Sequence, residues 1–296
     1  MPPGGKVVAR IPLGRGAPPP LGGGAFAVGE GAVWAMSDAE STLMRIDPGR
    51  NAVVARIKVL SPPGEIAVGD GAVWLSDPSN DMVLRIDPTT NKEAATIQVG
   101  PHPSGIAISP GAIWVAVAGG PSVARIDPAT NRVVATVRVG PKAACCSEHM
   151  GATVAAGAVW VAVPNANELV RVDPRSMRVV ATVKLPYTPG GYMFADPDGV
   201  WSAGGVGADV VAHIDARAHK VTSRVYEPHP VGLGFSHGSI WVAAIDSANV
   251  DRIDPRTGRI VARLHVGGSP VRLAVGFGSV WVNDDHGRVL RIHPQR

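Results

Sequence analysis

Seven tryptophans at near-constant spacing, two short phrases that recur with them, and a strand-like segment at the N-terminus without a repeat of its own predict an all-β chain. The expected fold is a seven-bladed β-propeller of four-stranded antiparallel blades, the last blade closed by the N-terminal strand. Residues 1–296 are read as one such domain, because the repeats overrule the two domains that length alone would suggest. The markers are Trp34, Trp74, Trp114, Trp160, Trp201, Trp241 and Trp281.

Each element of the repeat is short, rich in β-branched residues and bounded by Gly, Pro, Asn or Asp, which reads as strand and turn. Strand a is typified by Ile66-Ala67-Val68. Strand b follows Gly and carries the tryptophan, as in Gly71-Ala72-Val73-Trp74. Strand c carries Arg85-Ile86-Asp87-Pro88, and strand d is typified by Val133-Val134-Ala135-Thr136-Val137. The final repeat stops after Arg291-Ile292 and lacks strand d, whereas Lys6-Val7-Val8-Ala9-Arg10-Ile11 is a strand d without a blade. Pairing the two completes the seventh blade and removes an open edge.

The recurring residues read as structural, since a group present in every blade cannot by itself make a unique site. Each Trp is expected to pack between blades, and the preceding Gly to serve a tight a–b turn. The Asp-Pro phrases, such as Asp87 to Asn91 and Asp254 to Gly258, read as c–d hairpin turns. The Arg and Asp of strand c are two apart and share a face, which predicts a repeated Arg–Asp contact. Basic residues on the outer strands, Arg56, Lys58, Arg138 and Lys184, read as a defence against edge-to-edge pairing.

Composition narrows the function. Hydrophobic residues make up 45% and charged residues 18%, enough for a packed core and against general disorder. No apolar run is long enough to span a membrane. No signal region opens the sequence, so the expected compartment is the cytoplasm, or export with a leader removed. The net charge of +4 is mildly basic, but the strand-c arginines are distributed among the repeats. That argues against a nucleic-acid partner, which wants clustered charge or a stacking platform. A monomer is expected. No Gly-x-Ser-x-Gly elbow, phosphate loop or zinc-protease helix is present.

Function is sought where the repeats differ. In an up-and-down blade the d–a and b–c loops share one face. Aligned on the next Trp, the d–a segments present Glu65, His102, His149 with Glu148, Tyr192, His229 and Arg272. The b–c segments add Asp38, Asp77, Asp246, Asp284, Asp285 and His286. A ring of His and acids at one mouth of the channel is a candidate ligand or metal site. The one anomalous Trp spacing, 46 residues from Trp114 to Trp160, holds Cys145, Cys146, Glu148, His149 and Met150. These donors suit copper or zinc. The adjacent cysteines cannot build a long-range disulfide framework.

The phrases Gly-Ala-Val-Trp, Arg-Ile-Asp-Pro and Asn-x-Val-Val-Ala-Thr-Val resemble the YVTN-type β-propeller repeat family and the related streptogramin lyase (virginiamycin B lyase) group. The resemblance spans about residues 6 to 294. It implies a small molecule or cyclic peptide bound at the channel mouth and opened by metal-assisted elimination. A divalent metal (Mg, Zn or Cu) would polarise a carbonyl while a His acts as base. His229 in Pro228-His229-Pro230 matches a mouth histidine of that group. Asp284 stands at an acid position where the group has Glu. The loop leading into the last blade reads Gly267-Gly268-Ser269-Pro270, where a second His is expected, and His286 lies nearby. The base candidates are therefore His229, His149 and His286, with Asp284 or Glu65 assisting. Glu65, His102, Tyr192, Arg272 and Asp77 are ligand-binding candidates, and His149, Glu148, Cys145 and Cys146 are metal-binding candidates. The alternative is a non-catalytic propeller that binds a peptide, protein or metal ion.

Overall fold

A computed structural model of the chain describes residues 4–14, 25–141, 149–205 and 207–295. It contains seven four-stranded antiparallel sheets and is a seven-bladed β-propeller. The chain divides into two compact units, residues 63–224 and residues 1–62 with 225–296.

The first unit, residues 63–224, holds blades 2 to 5 except the last two residues of the outer strand of blade 5. Strands a to d of blade 2 are Glu65–Gly69, Ala72–Asp77, Met82–Asp87 and Lys92–Gln98. Those of blade 3 are Pro103–Ser109, Ala112–Val117, Ser122–Asp127 and Arg132–Arg138. Blade 4 comprises Ala152–Ala155, Ala158–Val163, Glu168–Asp173 and Arg178–Lys184. Blade 5 comprises Pro189–Ala195, Gly199–Gly204, Val210–Asp215 and Lys220–Tyr226. The other unit holds blades 1, 6 and 7. Blade 1 comprises Phe26–Gly29, Ala32–Ser37, Thr42–Asp47 and Ala52–Lys58. Blade 6 comprises Pro230–Ser236, Ser239–Ala244, Asn249–Asp254 and Arg259–His265. Blade 7 takes strands a to c from Pro270–Gly276, Ser279–Asp284 and Arg288–Pro294, and its outer strand is Gly5–Pro12 from the N-terminus. Val7 pairs with Ile292 and Arg10 with Leu290, as the missing strand d of the last repeat predicts.

Strand b is the second of its sheet and is buried along nearly its whole length in every blade. All seven tryptophans are fully buried, and Trp74, Trp114, Trp160 and Trp281 pack where their blade meets the next. Trp74 shares a core with Ile113 and Val115 of blade 3. Trp114 lies with Val159 and Val161 of blade 4, and Trp160 with Val200 and Ile214 of blade 5. Trp281 lies with Val33, Met44 and Ile46 of blade 1. The a–b turns are tight as expected: Asp70 at φ +54° and Gly71 at +74° are both left-handed, the pairing that a two-residue hairpin requires.

The Asp-Pro phrases close the c–d hairpins. Asp87 Oδ1 accepts the backbone N–H of Thr89 at 2.7 Å, and Asn91, at φ +56°, donates its N–H to the Asp87 carbonyl at 2.9 Å. Bonds from the Thr89 hydroxyl and N–H hold the Asp87 carboxyl at about 2, below its ordinary 3.8. Backbone N–H donors lower Asp47, Asp127, Asp173, Asp215 and Asp254 likewise. A carboxyl whose pKa falls on folding stabilises the fold above its unfolded value and loses that contribution as pH drops through the folded one. The melting temperature should therefore decline as pH falls from about 4 to about 2, and less steeply after Asp87→Asn. A thermal melt series over that window tests this.

The predicted Arg–Asp pairing is a charge interaction, in which Arg45, Arg125 and Arg171 help to lower Asp47, Asp127 and Asp173, while the close contacts of the arginine lie elsewhere. Each strand-c Arg stands directly opposite the Trp of strand b, as in Trp74↔Arg85 and Trp281↔Arg291. That register lays the guanidinium over the indole, with Arg85 at 5.2 Å and Arg291 at 4.9 Å from the ring centroid. In Arg85 and Arg291 the Nη1 hydrogen bonds run to the c–d turn of the following blade. Arg85 Nη1 donates to Pro128 O at 2.7 Å and Asn131 Oδ1 at 2.8 Å. Arg291 makes the same pair of bonds to Pro48 O and Asn51 Oδ1. The repeated Arg is thus a clasp between blades, and its own Asp closes the turn beneath it.

Candidate functional site

The d–a and b–c loops of a blade meet on one face, as expected. In blade 3 the Ala118 N–H reaches His102 O at 3.0 Å. In blade 6 the Ile245 N–H reaches His229 O at 3.2 Å, and in blade 7 the Asp285 N–H reaches Ser269 O at 3.0 Å.

In the unit of blades 1, 6 and 7, two His–Asp pairs form on this face. His229 ends the loop into blade 6 at φ +44°, a left-handed conformation uncommon for a residue with a side chain. Its Nδ1 lies 3.3 Å from Asp246 Oδ1 on the b–c turn, and the ring keeps 23% of its surface in solvent. In blade 7, His286 Nδ1 lies 2.9 Å from Asp285 Oδ1, which also accepts the Ser269 N–H. A Cβ on Gly268 would collide with that ring, so this glycine gives the imidazole its place. Arg272, a ligand-binding candidate, is buried in strand a and donates from Nη1 to Val271 O.

Asp284 is buried at the end of strand b and fully engaged. One oxygen accepts the backbone N–H groups of His286 and Arg288 at 3.1 and 3.0 Å. The other accepts Arg288 Nε at 2.9 Å and Nη2 at 2.5 Å. The space beside it, between Asp38, Asn283 and Gly287, is about 10 Å³, room for one water at most.

Asp284, Asp285 and His286 bring three donor atoms within 4.8 Å of one another. A divalent metal nevertheless does not fit this set. Asp284 already holds the Arg288 guanidinium bidentately, and Arg288 Nη2 also stands 3.3 Å from His286 Nδ1. A metal would have to displace that cation and would retain only Asp285 unshared with it.

In the unit of blades 2 to 5, His149, Tyr192 and the chain beside Glu65 converge. His149 Nε2 lies 3.3 Å from Gly64 O, and its ring stacks on Tyr192 at 6.1 Å. Its Nδ1 is buried against Gly191, where a Cβ would overlap the ring. Glu65 opens strand a, its N–H on Ser76 Oγ and its carboxylate accepting the Ile66 N–H. His102 is left-handed like His229, and its N–H donates to Asp81 Oδ1. Asp77 caps the b–c turn through Ser79, Asn80 and the Asn80 side chain, as Asp284 does in blade 7. Cys145, Cys146 and Glu148 lie outside the described residues.

Two clusters escaped the sequence reading. In blade 5, His213 replaces the clasp arginine and packs 5.0 Å from Trp201. Its Nε2 lies 3.4 Å from Asp196 Oδ2, the acceptor of the Trp201 Nε1–H, and its Nδ1 is 2.7 Å from Thr222 Oγ1. Burial pushes the Asp196 carboxyl up, but the bonds from His213 and Trp201 outweigh it and hold it at about 2. In blade 6, Asp251 stands where the other blades place Met44, Leu84, Ala124, Val170, Ala212 and Leu290. It is fully buried, paired to Arg263 at 2.8 Å, and faces the fully buried Glu227. Glu227 itself stands where Val99, Val139, Leu185 and Val266 follow their outer strands. Burial, then the Asp251 charge, pushes Glu227 up to about 8.

No protein-family model matches the sequence, and no curated protein sequence does. Solved structures share the fold. A streptogramin B lyase superposes with a TM-score of 0.82 at 14% identity, over 97% of this chain and 97% of that one. Virginiamycin B lyase from Staphylococcus aureus gives 0.80 at 15%, over 97% and 99%. Hydrazine synthase from Kuenenia stuttgartiensis gives 0.75 at 17%, over 94% and 98%. At these identities the likeness concerns the fold.

Proposed function

We propose that the chain is an enzyme that opens a small molecule or cyclic peptide by proton abstraction, with His229 as the base and Asp246 as the group that orients it. The observation that carries this reading is the 3.3 Å His229 Nδ1–Asp246 Oδ1 pair on the face where blade loops differ. With the Nδ1 proton directed at the carboxylate, the basic lone pair is on Nε2, the arrangement that suits a general base. In the elimination implied by the likeness to streptogramin lyases, His229 takes a proton from the carbon adjoining the ester-bearing carbon. The C–H electrons form a C=C bond, and the C–O bond breaks with its pair leaving on the carboxylate. The His286–Asp285 pair of the neighbouring blade stands on the same face to receive a polar group of the substrate. No step is routed through a metal at Asp284, because Arg288 fills that position.

The test is to incubate the protein with a cyclic peptide closed by an ester and to follow the product by mass. Elimination opens the ring without a change in mass, whereas hydrolysis adds one water. Asp246→Asn is expected to lower the rate by about 10² or more with the fold retained, as measured for general acid–base groups. An unreactive substrate panel, or an Asp246→Asn variant of full activity, would contradict the proposal.

The second reading is a non-catalytic binding propeller. It is favoured by His149, whose Nε2 is engaged by Gly64 O and whose Nδ1 is buried, so that this histidine joins blades instead of facing a ligand.

A further inference from the structure

The clasp between blades changes at the junction of blades 4 and 5. In blades 1 and 3 the turn that receives the preceding arginine offers an Asn side-chain oxygen, Asn51 or Asn131. Blade 5 has His219 at that position, with φ +51°. The substitution removes the amide oxygen, and the imidazole instead lies against Trp160 at 6.1 Å. Trp160 Nε1 and Arg171 Nε are both buried without a hydrogen-bond partner among the described residues.

A groove of about 650 Å³ lies at this junction. Thr182 and Lys184 from the outer strand of blade 4 line it, with His219, Lys220 and Arg224 from blade 5, and no lining residue is acidic. Lys184 is shared with Glu168 at 2.7 Å, but its side chain remains 74% exposed. Because strand d is the last of its sheet, Arg178–Lys184 also presents an unpaired backbone edge.

We infer that this groove binds an acidic peptide segment in extended conformation, its backbone added along the Arg178–Lys184 edge and its carboxylates set against Lys184, Lys220 and Arg224. Charge complementarity selects the sign of the partner, and strand addition supplies the backbone bonds. A single-stranded nucleic acid fits less well, because the groove offers no Trp, Tyr or Phe on which bases could stack. On this reading Lys184 has a binding role beyond the protection of an edge strand.

The experiment uses a short fluorescent peptide alternating Glu and Val, followed by anisotropy with the full chain at low salt. Saturable binding is expected, weakened about tenfold by K220E/R224E and by raising salt to about 0.3 M. The control R132E/R138E, which makes the same charge change on the outer strand of blade 3, should leave binding unchanged. Backbone amides of residues 180–184 should exchange more slowly with the peptide bound, a readout that does not depend on the variants folding. The inference is overturned if binding is absent, if both double variants weaken it equally, if an oligothymidylate binds as tightly, or if those amides are not protected. Turnover is no part of this test, so its outcome is independent of the proposed activity.

Discussion

Replacing Glu227 with valine will make the fold more stable at pH 9 and abolish most of the stability loss that the parent chain shows between about pH 4.5 and 8. Glu227 and Asp251 are two fully buried carboxyls facing each other, with one cation, Arg263, bound to Asp251. One guanidinium neutralises one carboxylate. The second acid therefore keeps its proton in the folded state, and burial with the Asp251 charge raises Glu227 from 4.5 to about 8. The sign follows from proton binding. Between those values the folded chain holds a proton that the unfolded chain has released, so stability falls as pH rises and levels off above the folded value. The shift corresponds to about 3–5 kcal/mol. Valine restores the residue type found after other outer strands and leaves Asp251 paired to Arg263. Burial also raises Asp251, which Arg263 counters, so urea titrations at pH 5 and 9 should show the parent markedly weaker at pH 9 and the variant with a much smaller difference. Equal pH dependence in both proteins would show that Glu227 is ionised within the fold.

Trp281→Ala should cost about 3–5 kcal/mol, the range for truncating a large buried aromatic side chain. The indole is fully buried and packs with Ile11 of the N-terminal strand, Leu13 just after it, and Met44 and Ile46 of blade 1. Its N–H donates to Gly276 O, and Arg291 lies over its face while bonded to the blade 1 turn. One substitution thus loosens the N-terminal closure, the blade 7–blade 1 core and the clasp together. A loss below about 1 kcal/mol in denaturant unfolding would mean that these contacts relax and refill the site, against the packing described.

The fold was readable because each blade repeats its own instructions. A turn needs Gly or Asn at a left-handed position, a strand needs alternating β-branched residues, and the unpaired Lys6–Ile11 segment had one place to go. The clasp is only partly legible in the sequence, for a definite reason. Arg85 and Asp87 share a face, but the partners that matter, Trp74 across the sheet and Asn131 on the next blade, are set by register and by blade-to-blade packing. The site was legible as a set of loop positions and not as chemistry. Asp77 and Asp284 look like available acids in the sequence, yet both cap their turns, a role that appears only once the backbone N–H groups are placed. Glu227 and Asp251 are 24 positions apart and become a pair only once the chain is folded. Their trace in the sequence is that each replaces an apolar residue in the blade alignment.

With His229 as the base and His149 in a structural role, the specificity constant on a ring-closed ester peptide separates the two histidines most directly. His229→Ala is expected to lower kcat/KM by about 10²–10⁴, while His149→Ala retains kcat/KM within a few-fold of the parent. Loss of turnover in His149→Ala with His229→Ala active would contradict this assignment and move the reacting centre to the unit of blades 2 to 5.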